Sequence, residues 1–310
     1  LPGVEESAEV GAPHPDIGEV GVAVVVPRAG ATLDPDSILA QLKAQAEKAF
    51  AGWTGAPAPA AAMPAPPVRT KSEIVLVHRP GSVQSNVLVG NLAMGPADPS
   101  RLAASVVTGI LGGGADARLF MILREQKSWT YGAYATLTRP RGMGRFEANT
   151  EVRTEVTDSA LVELLSQLRR ITAEPIGTAE FEAKRNAMVG SFPLSIETPQ
   201  ALAERVATVK LYGLPADYLQ TYRTKMSAIT PAQARLAAQR AIRPQQALTV
   251  VVGDGTKLYD KLAKIAPVKL VNADGDVLQP GDLTPKVVAA AFDASRLAAS
   301  RDSFVVMVQG

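Results

Sequence analysis

The sequence predicts an α+β fold in which a mostly antiparallel sheet is packed by helices on one face. The order of the central elements carries this expectation. It reads strand, strand, helix, helix, strand, strand, helix, with a short hairpin, which argues against a doubly wound parallel sheet. Residue patterning is the second observation. Strand-like runs are short, β-branched and bounded by Gly, Pro or Asp, whereas helical runs repeat apolar residues every three or four positions. Composition is the third: 310 residues, 46% of them hydrophobic, suffice for one large or two modest domains with a real core.

Leu1 to Asp16 contains prolines and lacks periodicity, so it reads as loop. Val20 to Val26 reads as a strand. Asp34-Pro35-Asp36 then caps a helix that runs to Phe50. Gly55 to Pro67, rich in Ala and Pro, reads as an extended linker. Strands follow at Ile74 to Val77 and Ser85 to Gly90, then helices at Ser100 to Leu111 and Asp116 to Lys127. Tyr131 to Thr138 and Gly144 to Val152 form a hairpin around Arg139-Pro140-Arg141-Gly142. A long helix occupies Val156 to Thr172, further helices run through Ala241, and Leu248 to Val252 is a strand.

A weak internal repeat organises the chain. The valine-rich strand ending at Val26, a turn and a helix ending at Phe50 parallel Leu248 to Val252, a turn and Lys257 to Ile265. The expected division is residues 1–54 as the tail of a preceding homologous module, 55–70 as linker, 71–268 as a complete module and 269–310 as a C-terminal extension. In the extension, Asn272 to Asp276 reads as a turn, Asp282 to Asp293 as a short helix and Phe304 to Val308 as a strand-like end.

Lys and Arg number 32 against 30 Asp and Glu, so there is no basic footprint for nucleic acid. No apolar run approaches the length of a membrane-spanning helix. The absence of cysteine fits a reducing cytoplasm or a periplasm, and the periplasm is the favoured expectation. Richness in Ala, Arg and Pro fits a GC-rich bacterial genome.

Leu111 to Tyr134 is the most informative stretch. Gly112-Gly113-Gly114 stops one helix; no Gly-Lys-Ser/Thr follows, which argues against a phosphate loop. The next helix carries Leu119, Ile122 and Leu123 on an apolar face and delivers Arg124 near its end, and Tyr131 starts a strand. Arginine and phenol thus converge at an element boundary, where both can donate hydrogen bonds to a carbonyl oxygen gaining negative charge. The alternative is structural: an arginine that caps carbonyls or pairs with Glu125, and a tyrosine that packs in the core.

The segment Leu123-Arg124-Glu125-Gln126-Lys127-Ser128-Trp129-Thr130-Tyr131 resembles the half of pitrilysin/insulinase-type (inverzincin) zinc metallopeptidases that lacks the zinc site. The resemblance continues through Phe181 to Asn186, Gly190 to Pro199, Leu211 to Pro215, Asp217-Tyr218 and Leu248 to Asp254, in the same order and spacing. The His-x-x-Glu-His helix of the catalytic half is missing, since His14 and His78 are the only histidines and lie far apart.

The resemblance implies a metallopeptidase-half (LuxS/MPP-like) module that closes a peptide-binding chamber. It implies that Arg124 and Tyr131 reach, in trans, the substrate carbonyl at the zinc site of a complementary half. Arg118 also matches a family position, but it lies on the other side of the helix from the apolar stripe and reads as structural. Zinc is then expected in that half, encoded upstream in the same gene or as a separate subunit, with no cofactor in this chain. This chain alone is expected to be inactive. The alternative is a non-proteolytic structural or assembly subunit of the same family. Glu180, Glu182 and Glu197 read as solvated or capping residues, His78 as a strand-edge residue, His14 as solvated, Gln84 as satisfying backbone groups, and Phe192, Leu194, Tyr212 and Tyr218 as packing of the helical layer.

Overall fold

A computed structural model describes residues 1–14, 18–55 and 65–283. The N-terminal part is a hairpin of β1 (Val4–His14) and β2 (Gly18–Pro27), followed by α1 (Pro35–Phe50). The loop expected before residue 16 is therefore a strand. β1 has little strand propensity of its own, but from Glu6 to His14 it pairs in continuous register with valine-rich β2. Asp34 caps α1 by accepting from Ser37 N, and Pro35 sits at its first position. None of the residues of α1 is buried, and Leu39, Leu42, Phe50 and Trp53 are exposed.

The main body holds a six-stranded sheet. Its elements are β3 (Glu73–His78), β4 (Gln84–Leu92), α2 (Arg101–Gly112), α3 (Arg118–Phe120), β5 (Thr130–Leu137), β6 (Arg145–Arg153), α4 (Thr157–Ala173), α5 (Thr178–Ser191), α6 (Pro199–Leu211), α7 (Tyr218–Ser227), α8 (Pro231–Ala241), β7 (Leu248–Gly253), α9 (Gly255–Leu262) and β8 (Val268–Val271). The strand order is β5-β6-β4-β7-β3-β8. The β5–β6, β6–β4 and β4–β7 pairs are antiparallel, and β3 pairs in parallel with β7 and β8. β8 crosses the boundary expected at residue 268, because its short Val-Lys-Leu-Val run completes the sheet beside β3.

Alternation along the strands decides the two faces. Ser85, Val87 and Val89 of β4 point into the core, as do Phe146, Ala148, Thr150 and Val152 of β6. Helices α2 and α4 cover this side, α8 packs against both, and buried Leu111, Leu161, Leu164 and Leu168 fill the interface. Gln84, Asn86 and Leu88 alternate to the opposite, open face. One side of the sheet is thus core, and no helix of the described residues covers the Gln84 end of the other.

His78 is not at a sheet edge: β3 lies between β7 and β8, and its Nδ1 accepts from Gly255 N at 3.0 Å. The Asn272–Asp276 turn forms as expected, with Asn272 Oδ1 accepting from Asp274 N and Asp276 N. Leu194 is exposed rather than packed, whereas Phe192 is buried. The expected short helix, beyond Leu283, and the strand-like Phe304–Val308 lie outside the described residues, as does most of the linker. No helix among the described residues is long and apolar enough to cross a membrane.

Candidate functional site

The helix expected over Asp116 to Lys127 is α3 followed by a π-helix over Met121–Gln126. Lys127 N bonds to Ile122 O, and Trp129 N reaches Leu123 O at 3.0 Å. The widened turn keeps Leu123 fully buried while Arg124 emerges beside the sheet. Ser128, at φ 53°, then reverses the chain into β5. It is the one non-glycine residue of positive φ among those described, and it lies between the two candidate side chains.

A bulge at the start of β5 turns Tyr131 outward. Thr130 pairs with Val152 and Ala133 with Thr150, so β5 carries one extra residue. Thr130 Oγ1 accepts from Gly132 N at 3.0 Å and donates to Gly132 O at 2.8 Å. The buried Thr150 hydroxyl lies 3.0 Å from both Thr130 Oγ1 and Gly132 O, within reach to donate to either. A Cβ at Gly132 would sit 2.7 Å from Tyr134 Oη, so a side chain there would have to displace the Tyr134 ring. The Tyr134 ring in turn lies 6.5 Å from Phe120.

The structure brings Arg124 and Tyr131 together. Arg124 Nη1 donates to the Tyr131 carbonyl at 3.2 Å, its Nε lies 3.4 Å from Glu125 Oε1, and its guanidinium stacks 4.8 Å over the Phe120 ring. These contacts fix the guanidinium and leave other N–H groups open. The Tyr131 side chain is 86% exposed, which excludes a core role. Both residues line a hollow of about 560 Å³ shared with Gln84, Glu151 and Arg153. An adjoining hollow of about 470 Å³ continues over Asn86, Leu88, Tyr134 and Asn149. The open face therefore carries Arg124 and Tyr131 at one end of a floor of mixed polar and apolar residues.

Gln84, Asn86, Asn149, Glu151 and Arg153 join the site without having been singled out as groove residues from the sequence. Their signal was present as the polar half of the period-two alternation in β4 and β6. Arg118 is structural: its Nε and Nη2 form a bidentate pair with Glu180 at 2.7 and 2.6 Å, tying α3 to α5. Glu180 is thereby an ion-pair partner rather than a solvated residue. Gly112 ends α2 hard against β5, where a Cβ would lie 2.6 Å from Tyr134 C. Among the described residues, no group of three or more His, Cys, Asp or Glu could hold a metal ion. His78 spends its Nδ1 on α9, so its donor set does not fit a zinc site.

Comparison with known proteins places this geometry. The family model described as Peptidase M16 inactive domain matches residues 36–188. An uncharacterized zinc protease of Streptomyces coelicolor is 24% identical over 234 residues, covering 74% of this chain and 50% of that protein. The chain thus spans about half the length of that curated relative. A peptidase M16 inactive domain from Pseudomonas fluorescens superposes with a TM-score of 0.62 at 24% identity, covering 69% of this chain and 51% of that one. A chain of complex III2 from Candida albicans shares the fold with a TM-score of 0.58 at 14% identity, over 76% of this chain and 57% of that one. The family match over residues 36–188, the zinc-protease relative and the shared architecture agree with the residues themselves: the chain is similar to the inactive domain of M16 peptidases in sequence over that segment and in fold.

Proposed function

We propose that this chain is the half of an M16 peptidase that closes the peptide-binding chamber and supplies Arg124 and Tyr131 to the substrate carbonyl, opposite a complementary zinc-bearing half. The observation that carries the reading is the exposed Tyr131 phenol beside a guanidinium already fixed by Glu125, Phe120 and the Tyr131 carbonyl. Donors held in place before reaction need little reorganisation when charge develops. As the scissile carbonyl is attacked, its oxygen gains negative charge. The Arg124 N–H groups and the Tyr131 O–H stabilise that state more than the neutral carbonyl, which is what accelerates a reaction. In this reading the metal chemistry belongs to the other half; among the described residues no group of three or more His, Cys, Asp or Glu could hold a metal ion.

The N-terminal hairpin and α1 form the tail of a preceding homologous module in this account. The exposed Val22, Val24 and Val26 of β2, and Leu39 and Leu42 of α1, are apolar side chains that such a module would cover. A non-proteolytic structural or assembly subunit is the second reading, and the likeness to the complex III2 chain is the observation on its side. Under that reading the outward Tyr131 and the site-directed bulge have no task.

Reconstitution tests the proposal. The chain is mixed with the zinc-bearing half, taken from upstream in the gene or from a separate subunit, and cleavage of a quenched fluorescent peptide is followed. Cleavage by the pair, none by this chain alone, and zinc carried by the other half are the expected results. A pair that assembles and holds zinc without cleaving any peptide of a diverse library supports the assembly reading instead.

A further inference from the structure

On the helical side of the sheet, the β5–β6 turn meets α5, α6 and α7 around a small cavity of about 170 Å³. Arg139 and Arg205 line it, with Ser195 and the aromatic wall of Tyr218, Phe192 and Tyr222. Phe192 and Tyr222 stack with ring centroids 4.1 Å apart. The Arg139 guanidinium lies 5.7 Å over the Tyr218 ring, and its Nη2 is 3.4 Å from Tyr218 Oη. Burial, with the charge of Tyr218, raises the Tyr222 pKa above its ordinary value, and the charges of Arg205 and Arg139 oppose that rise only in part.

Arg101 lies behind this cavity and is 6% exposed. Its Nη2 donates to the carbonyls of Leu137 and Thr138, at 3.1 and 2.7 Å, which sets it next to Arg139 in the chain's path. Its Nη1 is buried with no hydrogen-bond partner among the described residues. None of Arg101, Arg139 and Arg205 pairs with a carboxylate of the described residues. Asp98, whose charge acts on Arg101, is itself engaged by Arg240 and Ser100. Burial, and then the charge of Arg139, lower the Arg101 pKa to about 10. Buried arginines are rarely left without a counter-charge, because an uncompensated buried charge is destabilising.

We propose that this cavity is a binding site for a small organic carboxylate with a flat apolar body. The carboxylate lies on the guanidiniums of Arg139 and Arg205, the body lies against Phe192 and Tyr222, and Arg101 supplies further positive charge from behind Arg139. The planar fork of a guanidinium matches a carboxylate, and the aromatic wall gives an apolar body a place that a bare inorganic anion cannot use. The site is independent of Arg124 and Tyr131, so it stands whichever reading of the open face holds.

Isothermal titration of the full chain tests it with three probes: benzoate, its neutral isostere benzamide, and inorganic phosphate. Saturable benzoate binding with a Kd on the order of 1 mM is expected, with benzamide and phosphate much weaker. Arg139→Gln and Arg205→Gln each weaken benzoate by about tenfold or more, whereas Arg141→Gln in the same turn leaves it unchanged. Circular dichroism confirms folding; Arg205 is on the exposed side of α6, so its variant carries the test if Arg139→Gln unfolds. No saturable benzoate binding, equal binding of benzamide or phosphate, or benzoate binding that survives the folded variants overturns the proposal.

Discussion

Substituting alanine at two glycines of α2 should shift stability in opposite directions. At Gly112 a Cβ would overlap the Ala135 amide nitrogen and lie 2.6 Å from Tyr134 C and 2.8 Å from Ala135 Cβ. Most of these are main-chain atoms of β5, so no rotamer change relieves the overlap. The helix must move off the strand. Overpacking of this kind costs about 1–3 kcal/mol, and rigid backbone neighbours favour the upper end. Alanine returns about 1 kcal/mol of helix propensity. The net loss for Gly112→Ala is then about 2 kcal/mol, or a drop of about 4–8 °C in Tm for a body of this size. At Gly109 the same Cβ meets Lys184 Cδ at 3.2 Å, Cγ at 3.3 Å and Met188 Sδ at 3.9 Å, all atoms of unbranched side chains that can give by a few tenths of an ångström even with the Lys184 ammonium held by Asp116. There the propensity gain prevails, and Gly109→Ala should raise Tm by about 2–4 °C. Thermal unfolding of the chain followed by circular dichroism reads both variants. A neutral Gly112→Ala, or shifts of the same sign, refutes the close approach of α2 to the strand that carries Tyr131.

Two further outcomes follow from the site and its support. Thr130→Val removes both hydrogen bonds to Gly132 and should cost about 1–2 kcal/mol, with hydrogen exchange at the Gly132 amide losing its protection; an unchanged exchange rate would dissociate the bulge from the threonines. Burial raises the Asp254 pKa, but hydrogen bonds from the Thr256 side chain and backbone and from Gly81 N, with the Lys257 charge, outweigh it and leave the pKa below the ordinary 3.8. Its stabilisation is therefore full above that ordinary value and is lost as pH falls through the depressed folded value. Asp254→Asn, which retains an N-cap oxygen, should be less stable than the native chain near about pH 7 and approach it near about pH 3; a difference that is constant across this range contradicts the assignment.

Much of this was legible in the sequence because patterning and turn chemistry agreed. The β5–β6 hairpin, the polar and apolar faces of β4 and the helix stop at Gly112 each follow from local residue types. β1 did not, because its Glu, Gly, Ala and Pro content has no alternation and its conformation comes from pairing with β2. β8 is four residues long, too short for periodicity to separate strand from helix. At the site, the approach of Arg124 to Tyr131 was readable from their placement at an element boundary. The devices that hold them were not. A π-helix and a bulge arise where packing demands an extra residue, and neither Leu123 nor Thr150 announces that demand in the sequence. His78 looked like an edge residue because nothing local reveals that β8 would pair on its far side.

The central claim is that Tyr131 and Arg124 act on the charge that develops on the substrate carbonyl. Tyr131→Phe is the most direct test, because it keeps the ring and removes only the hydroxyl. It is measured as kcat and kcat/KM for peptide cleavage by the chain reassembled with its zinc-bearing half. Since the Tyr131 hydroxyl makes no hydrogen bond to the described residues and its side chain is 86% exposed, the fold should be unaffected. Loss of one donor to a developing oxyanion costs about 3 kcal/mol, so kcat should fall by about a hundredfold while KM stays nearly constant. Full kcat and kcat/KM in the reassembled Tyr131→Phe enzyme would contradict the claim and leave the pair as surface structure.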